Sequence, residues 1–402
     1  MNPHFSYLEL CLARCFTAGI VVVGSLQLAI VAHYRRWLYQ DEGPVPAGRL
    51  PVSVIVPCKG QPEHIAYFDR NIESLLDQDY DGPREYVFVC PSSEDPAYLK
   101  LRALLEGRRD VRWQLLDSRA DPRLCSEKCA NLLFGAARAD PASKAFVFAD
   151  CDMRFSRDWL RRLAGPLVDP AVAAATAPAI DLPFSDGFAQ FLYIATVNAV
   201  VAADALRPGV WGYSFAITRE RFESLGIAEI WSRSLTDDVS LRGRPELFGG
   251  ALHCARAFPV CWQDGTFSSF FARHRKNFGY LRAEAPAQWL AAGLWTFGKL
   301  YWWRWFGDRG LFAPLALMAA LDAAAGAWLW SLRFERLSPR LGDLHPRWRR
   351  WGTAASAACA VLAPFALAGP YLAAALSRRV RWGGRVYLAR GRGDVVAEPG
   401  LH

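Results

Sequence analysis

Cys15 to Ala32 reads CFTAGIVVVGSLQLAIVA, eighteen residues without a charge. With Leu8 to Leu12 before it, the run is long enough to cross a bilayer core of about 30 Å as a helix. Arg35 and Arg36 follow it. A cleaved signal peptide carries its positive charges before the apolar run and a small-residue cleavage site after it. Here the charges come after, which predicts a retained anchor whose C-terminal side is cytoplasmic.

Two more apolar runs lie at the far end, Leu311–Trp330 and Thr353–Leu376. Arginines 333, 336, 340, 347, 349 and 350 stand between them, and arginines 378, 379, 381, 385, 390 and 392 follow. Positive-inside counting cannot put both clusters on one side if each run spans once. Either Trp289–Trp303 is a re-entrant or third span, or one run lies flat. Sixteen Trp suit a chain with much surface where lipid meets water.

Of the 402 residues, 52% are apolar and 21% charged, which excludes a disordered chain and a small disulfide scaffold. The ten cysteines sit mostly in apolar runs. Cys125 and Cys129 share a helix face but have no matching second pair for zinc. The net charge is +8, yet the arginines cluster beside the membrane runs. Anionic lipid is therefore the expected partner, and nucleic acid is not.

Between the anchors the pattern changes. Val52–Pro57, Glu85–Cys90, Val111–Asp117 and Ala145–Asp150 read as strands, with helical stretches at His64–Leu76, Pro96–Leu105 and Cys125–Ala137. This alternation predicts an α/β fold, an open, mostly parallel sheet with helices on both faces. We expect a membrane anchor and linker over 1–48, the α/β domain over 49–284, interfacial and transmembrane helices over 285–376, and a basic tail over 377–402.

In such sheets ligands bind beyond the carboxyl ends of the strands. Pro57-Cys58-Lys59-Gly60 follows the first strand, Ser92 to Ala97 the second, and Asp150-Cys151-Asp152 the fourth. Neither GxGxxG nor GxxxxGK[ST] occurs, so a nucleotide is held some other way. Asp-x-Asp at a strand end offers oxygen ligands to Mg²⁺ or Mn²⁺, which can bridge a diphosphate. Further on stand Trp211-Gly212-Tyr213 and Thr236-Asp237-Asp238. The two acids could equally just start a helix, where carboxylates favour the dipole. The aromatic and basic cluster Phe270–Phe278 could equally be a snorkelling interfacial patch.

Taken in order, these residues resemble the ceramide glucosyltransferases, membrane enzymes of the GT-A fold. The matching stretches are Pro57–Gly60, Asp95-Pro96-Ala97, Ser126 to Leu132, Asp150 to Arg154, Asp237-Asp238 and the tail Arg381 to Tyr387. Two positions depart: Asn277 stands where the family's Arg/Gln-x-x-Arg-Trp signature has Trp, and Ser126 where Asn is usual.

The resemblance implies a nucleotide-sugar site at Pro57, Lys59, Asp95, Lys128 and Asp150. It implies a metal, Mg²⁺ or Mn²⁺, on Asp150 and Asp152, and Asp238 as the general base. Trp211, Gly212, Asp237, Arg273 and Lys276 would line the acceptor or diphosphate side. The implied reaction is inverting transfer from a UDP-sugar, UDP-glucose favoured, to the hydroxyl of a membrane lipid, ceramide first. A hopanoid- or diacylglycerol-directed transferase shares the architecture, and a catalytically inactive membrane scaffold is the reading from another class. The expected location is an integral membrane protein with a cytoplasmic catalytic domain, the bacterial inner membrane being favoured by the Arg- and Ala-rich composition.

Overall fold

The computed structural model describes residues 6–40, 49–60, 62–183, 187–263, 265–337 and 346–398. The expected linker residues 41–48 and Arg340 lie outside them, as do the side chains of Arg336, Arg347, Arg349 and Arg350.

The strands up to the last membrane helix are β1 (Val52–Pro57), β2 (Arg84–Cys90), β3 (Arg112–Asp117), β4 (Ala145–Ala149), β5 (Met153–Arg154), β6 (Ala174–Thr176), β7 (Ile180–Pro183), β8 (Ser214–Thr218), β9 (Leu252–Cys254) and β10 (Val260–Gln263). The helices are α1 (Tyr7–Tyr39), α2 (Pro62–Leu76), α3 (Pro96–Leu105), α4 (Glu127–Arg138), α5 (Trp159–Ala164), α6 (Phe188–Asp204), α7 (Arg219–Ser224), α8 (Ile227–Trp231), α9 (Asp237–Arg242), α10 (Phe267–Glu284), α11 (Pro286–Gly307), α12 (Phe312–Leu337) and α13 (Pro346–Leu376).

Seven strands form the main sheet in the order β3-β2-β1-β4-β8-β6-β9. β1 to β4 pair in parallel, as their β-branched and aromatic runs predict. One face packs on α2, α3 and α5 through Ile72, Leu101 and Trp159. The other packs on α4 through Cys129 and Leu132. α4 comes so close to the sheet that a Cβ on Gly135 would lie 2.7 Å from Ile55 Cγ2. Burial on both faces explains why β1, β2 and β4 read as continuous apolar runs.

β8 is the exception to the parallel order. It runs antiparallel to both β4 and β6, with Ala149 opposite Ser214. The residues just before β8 therefore lie beside the residues just after β4. Reversal of one strand brings Trp211–Tyr213 to the Asp150 rim. A smaller sheet, β5-β10-β7, stands beside this rim.

Tyr7–Tyr39, Phe312–Phe334 and Trp351–Leu376 are long and apolar enough to cross a membrane. α1 runs parallel to α12: Ile20 packs with Leu315 and Met318, and Tyr34 and Leu38 with Leu329 and Leu332. α13 returns along α12, with Gly352 against Trp330 and Gly326 against Ser356. The Trp330 ring lies tilted against Phe191 of α6 at 5.6 Å, while Arg282 of α10 donates to the Ala374 carbonyl at 2.8 Å. α13 thus meets helices that follow the sheet strands, and α11 packs along α1 and α12 through Trp302 at Gly19 and the Lys299–Asp322 ion pair.

The last segment is more than a basic tail. β11 (Arg379–Trp382), β12 (Arg385–Gly391) and β13 (Asp394–Ala397) form an antiparallel sheet. Val380, Tyr387, Ala389 and Val395 bury against Tyr280 and Ala283 of α10.

Candidate active site

A cavity of about 1490 Å³ opens at the carboxyl ends of β1 and β4. Pro57, Lys59, Lys128, Asp150, Asp152 and Asp238 line it, together with Trp211, Asp237, Arg273 and Lys276. Ten of the residues singled out by the sequence thus converge from separate elements.

Lys128 is the electrostatic centre. It stands in the first turn of α4, which Ser126 caps by accepting from the Cys129 N–H at 3.1 Å. Ser126 therefore serves well where the family pattern has Asn. A cation at a helix N-terminus is disfavoured by the dipole and needs nearby anions. Lys128 Nζ lies 2.8 Å from Asp150 Oδ1 and 3.2 Å from Asp237 Oδ2. Burial opposes the charge on Lys128, but Asp150, Asp237 and Asp238 together lift its pKa well above the ordinary ammonium range. Burial pushes Asp150 up to about 7, with Lys128 opposing and Asp152 adding to the rise. Asp237 is raised for the same first reason, burial.

Asp237 and Asp238 do start a helix, α9, and they also face the cavity. Their environments differ. Asp237 is 3% exposed and engaged by Lys128. Gly212 presses on it: a Cβ there would overlap the Asp237 carboxylate. Gly212 does not itself line the cavity; it makes room for Asp237. Trp231 Nε1 donates to the Asp237 carbonyl at 2.9 Å and fixes the turn. Asp238 is half-buried, and its Oδ1 accepts from the Val239 N–H at 2.7 Å.

Asp95, like Gly212, is an expected site residue that does not line the cavity. It caps α3, its Oδ1 accepting from the N–H of Ala97 at 2.8 Å and of Gly60 at 2.7 Å. Short local hydrogen bonds at a helix start draw this carboxylate back into the loop, so it braces the Lys59-Gly60 turn.

Helical periodicity explains the α10 contribution. Arg273, Lys276, Asn277 and Tyr280 fall on one face at spacings of three and four. Arg273 lies over the Tyr193 ring and Lys276 over the Tyr280 ring. Burial lowers Lys276 to about 8, and the neighbouring Arg273 adds to the effect. Arg242 of α9 lies 4.6 Å above the Trp211 ring and pairs with Asp204 at 2.8 Å, which holds the indole at the wall.

Among the described residues no group of three His, Cys, Asp or Glu gathers to hold a metal by itself. That donor set still fits Mg²⁺ or Mn²⁺. Mg²⁺ is usually held by one or two carboxylates plus substrate phosphates rather than by an all-protein cage. Cys125 and Cys129 are free, buried thiols raised by burial, in keeping with an apolar role.

Sequence reasoning passed over Glu127 and Asp181. Asp181 of β7 lines the cavity. Glu127 bonds to Lys59 at 2.7 Å and to Arg385 at 3.0 Å. The available signal was an acid between a helix cap and a buried lysine.

The sequence profile of glycosyl transferase family 21 matches residues 17–395. The chain belongs to this family. Family 21 is that of the ceramide glucosyltransferases, and the chain is a glycosyltransferase. A comparison with curated proteins gives no match. Among solved structures, a mannosyltransferase from Pyrobaculum calidifontis in complex with GDP-Man and Mn²⁺ is similar at TM-score 0.50 and 20% identity, over 90% of this chain and 97% of that one. The likeness establishes a GT-A-like fold for this family 21 member. A mycobacterial protein shares 17% identity over 60% of this chain and 78% of its own, at TM-score 0.39.

Proposed function

We propose that this family 21 enzyme transfers a sugar with inversion from a UDP-sugar, UDP-glucose first, to the hydroxyl of a membrane lipid, ceramide first. The observation that carries this reading is the continuity of the cavity. From the Asp150, Asp152 and Asp238 floor it runs on to Leu26 and Ile30 of α1, Trp295 of α11, Leu329 of α12, and Ala363 and Leu367 of α13. Its volume exceeds the roughly 300–1,000 Å³ of a pocket for one small ligand. A polar end joined to a wall of membrane-type helices suits a water-soluble donor and an amphipathic acceptor together.

In this reading Lys59, Lys128 and Lys276 face the nucleotide diphosphate, and Asp95 steadies the turn that carries Lys59. Asp150 and Asp152 would hold Mg²⁺ or Mn²⁺, whose charge stabilises the departing diphosphate. The presence of GDP-Man and Mn²⁺ in the Pyrobaculum mannosyltransferase supports a donor and metal of this class. Asp237 is neutralised by Lys128, so the base is the half-buried Asp238. It takes the acceptor hydroxyl proton as the oxygen attacks the anomeric carbon, opposite the leaving UDP. Such a base contributes roughly 10²–10⁴-fold. The catalytic half faces the cytoplasm, where the arginines after α1 lie.

The test is transfer by the purified full chain in lipid nanodiscs, with UDP-glucose and ceramide. Mass spectrometry should find hexosylceramide, and NMR of the product an inverted anomeric carbon. Transfer to water-soluble alcohols alone would sink the lipid reading.

A further inference from the structure

The C-terminal strands carry none of the reacting groups, yet they reach the donor end of the cavity. Lys59 Nζ donates to the Gly383 carbonyl at 2.7 Å and to Glu127 Oε1 at 2.7 Å. Gly383 and Gly384 make the turn between β11 and β12, with φ of 56° and 78°, a conformation that suits glycine. Arg385, just past the turn, holds the other Glu127 oxygen at 3.0 Å and Asp121 at 2.6 Å. The Glu127 N–H donates to Tyr387 Oη at 3.2 Å. Glu127 therefore ties the hairpin to the start of α4, one residue from Lys128.

Arg381, Trp382 and Gly383 belong to the cavity wall. Arg381 stands two residues from the carbonyl that holds Lys59. It is exposed and takes part in no ion pair among the described residues. An ammonium has three N–H donors, and Lys59 has two engaged, which leaves one for a ligand.

We propose that this hairpin is the closing wall of the donor site, a clamp on a nucleoside diphosphate. Arg381 binds the diphosphate, and Arg385 acts as a positioning residue that docks the hairpin through Glu127. Lys59 touches the hairpin and the nucleotide at once. Donor binding and hairpin docking then strengthen each other, as reciprocal coupling requires. The clamp rests on the nucleotide-sugar reading above.

The experiment uses the full chain in detergent, with UDP and GDP as probes. Bound nucleotide should slow tryptic cleavage between Arg379 and Arg392 about fivefold or more. Arg381→Ala should raise the donor KM about tenfold. Arg385→Ala should raise the donor KM and abolish the protection, while the acceptor KM stays within about twofold. Arg385→Lys, which keeps a charge for Glu127, should recover most of the loss. A merely structural defect would move kcat and the acceptor KM as well, and the lysine variant would not single out the donor constant. Equal cleavage with and without a nucleotide that does bind, or an unmoved donor KM in both alanine variants, overturns the clamp. A parent enzyme that binds neither UDP nor GDP instead refutes the donor reading, and the clamp falls with it.

Discussion

The ammonium of Lys128 lies 2.8 Å from Oδ1 of Asp150. The strand-end carboxylate that a metal would use is therefore already balanced by a helix-borne cation. Asp237 shares the same ammonium. One positive charge thus holds together residues from α4, the β4 end and α9.

Lys128→Met should leave the half-buried Asp150 and the buried Asp237 without a counter-charge. Breaking a buried pair in this way costs roughly 3–5 kcal/mol. Thermal unfolding in detergent should show a clear fall in Tm. Adding Asp237→Asn should restore part of it, since one of the stranded charges is then gone. Two losses that simply add would show that the three side chains are not coupled.

The adjacent acids should separate by role. Asp238→Asn keeps the shape but cannot accept a proton, so kcat should fall by roughly two to four orders of magnitude with donor binding retained. Asp237→Asn should be milder, because its carboxylate faces Lys128. Single-turnover rates for both variants decide it, and the reverse ranking overturns the assignment.

The Asp-x-Asp pair predicts metal dependence. Asp152→Ala should abolish transfer and the response to added Mg²⁺ or Mn²⁺, because it removes a hard oxygen ligand. Full activity of the parent enzyme in EDTA would remove the metal from the reaction.

Lys276 predicts a pH effect on donor affinity. Burial holds its pKa near 8, below the usual ammonium range. Its charge is present below that pH and is lost as pH rises past it. UDP affinity should therefore fall above pH 8, by at most about tenfold per pH unit. Lys276→Arg stays charged and should flatten the profile. Calorimetric titration of UDP between pH 6.5 and about 9.5 reads both limbs; an equally steep fall in the arginine variant would assign the effect elsewhere.

Much of this molecule follows from its sequence alone. Val52–Pro57, Arg84–Cys90 and Ala145–Ala149 are buried on both faces, so they appear as unbroken apolar runs, and the helices between them carry caps and periodicity. Local pattern is enough there, because each element's burial is written in its own residues. The long uncharged run of α1 is legible for the same reason. Lys59, Lys128, Asp150 and Asp152 were visible because they stand at strand ends or a helix start, where a parallel sheet puts its site.

Tertiary structure decided the rest, because those features depend on distant partners. Nothing local says that β8 runs backwards, yet that reversal brings Trp211 and Gly212 to Asp237. Asp95 stands at a helix start in sequence; only the fold shows that its Oδ1 accepts from the Gly60 N–H as well as from Ala97. Two adjacent acids look alike in sequence; only the fold shows that Asp237 is the one beside the Lys128 ammonium. The tail reads as basic residues beside a membrane run, whereas folding carries Gly383 across more than three hundred residues of chain to Lys59. Electrostatic balance in a cavity is a sum over neighbours in space, and only the folded chain brings those neighbours together.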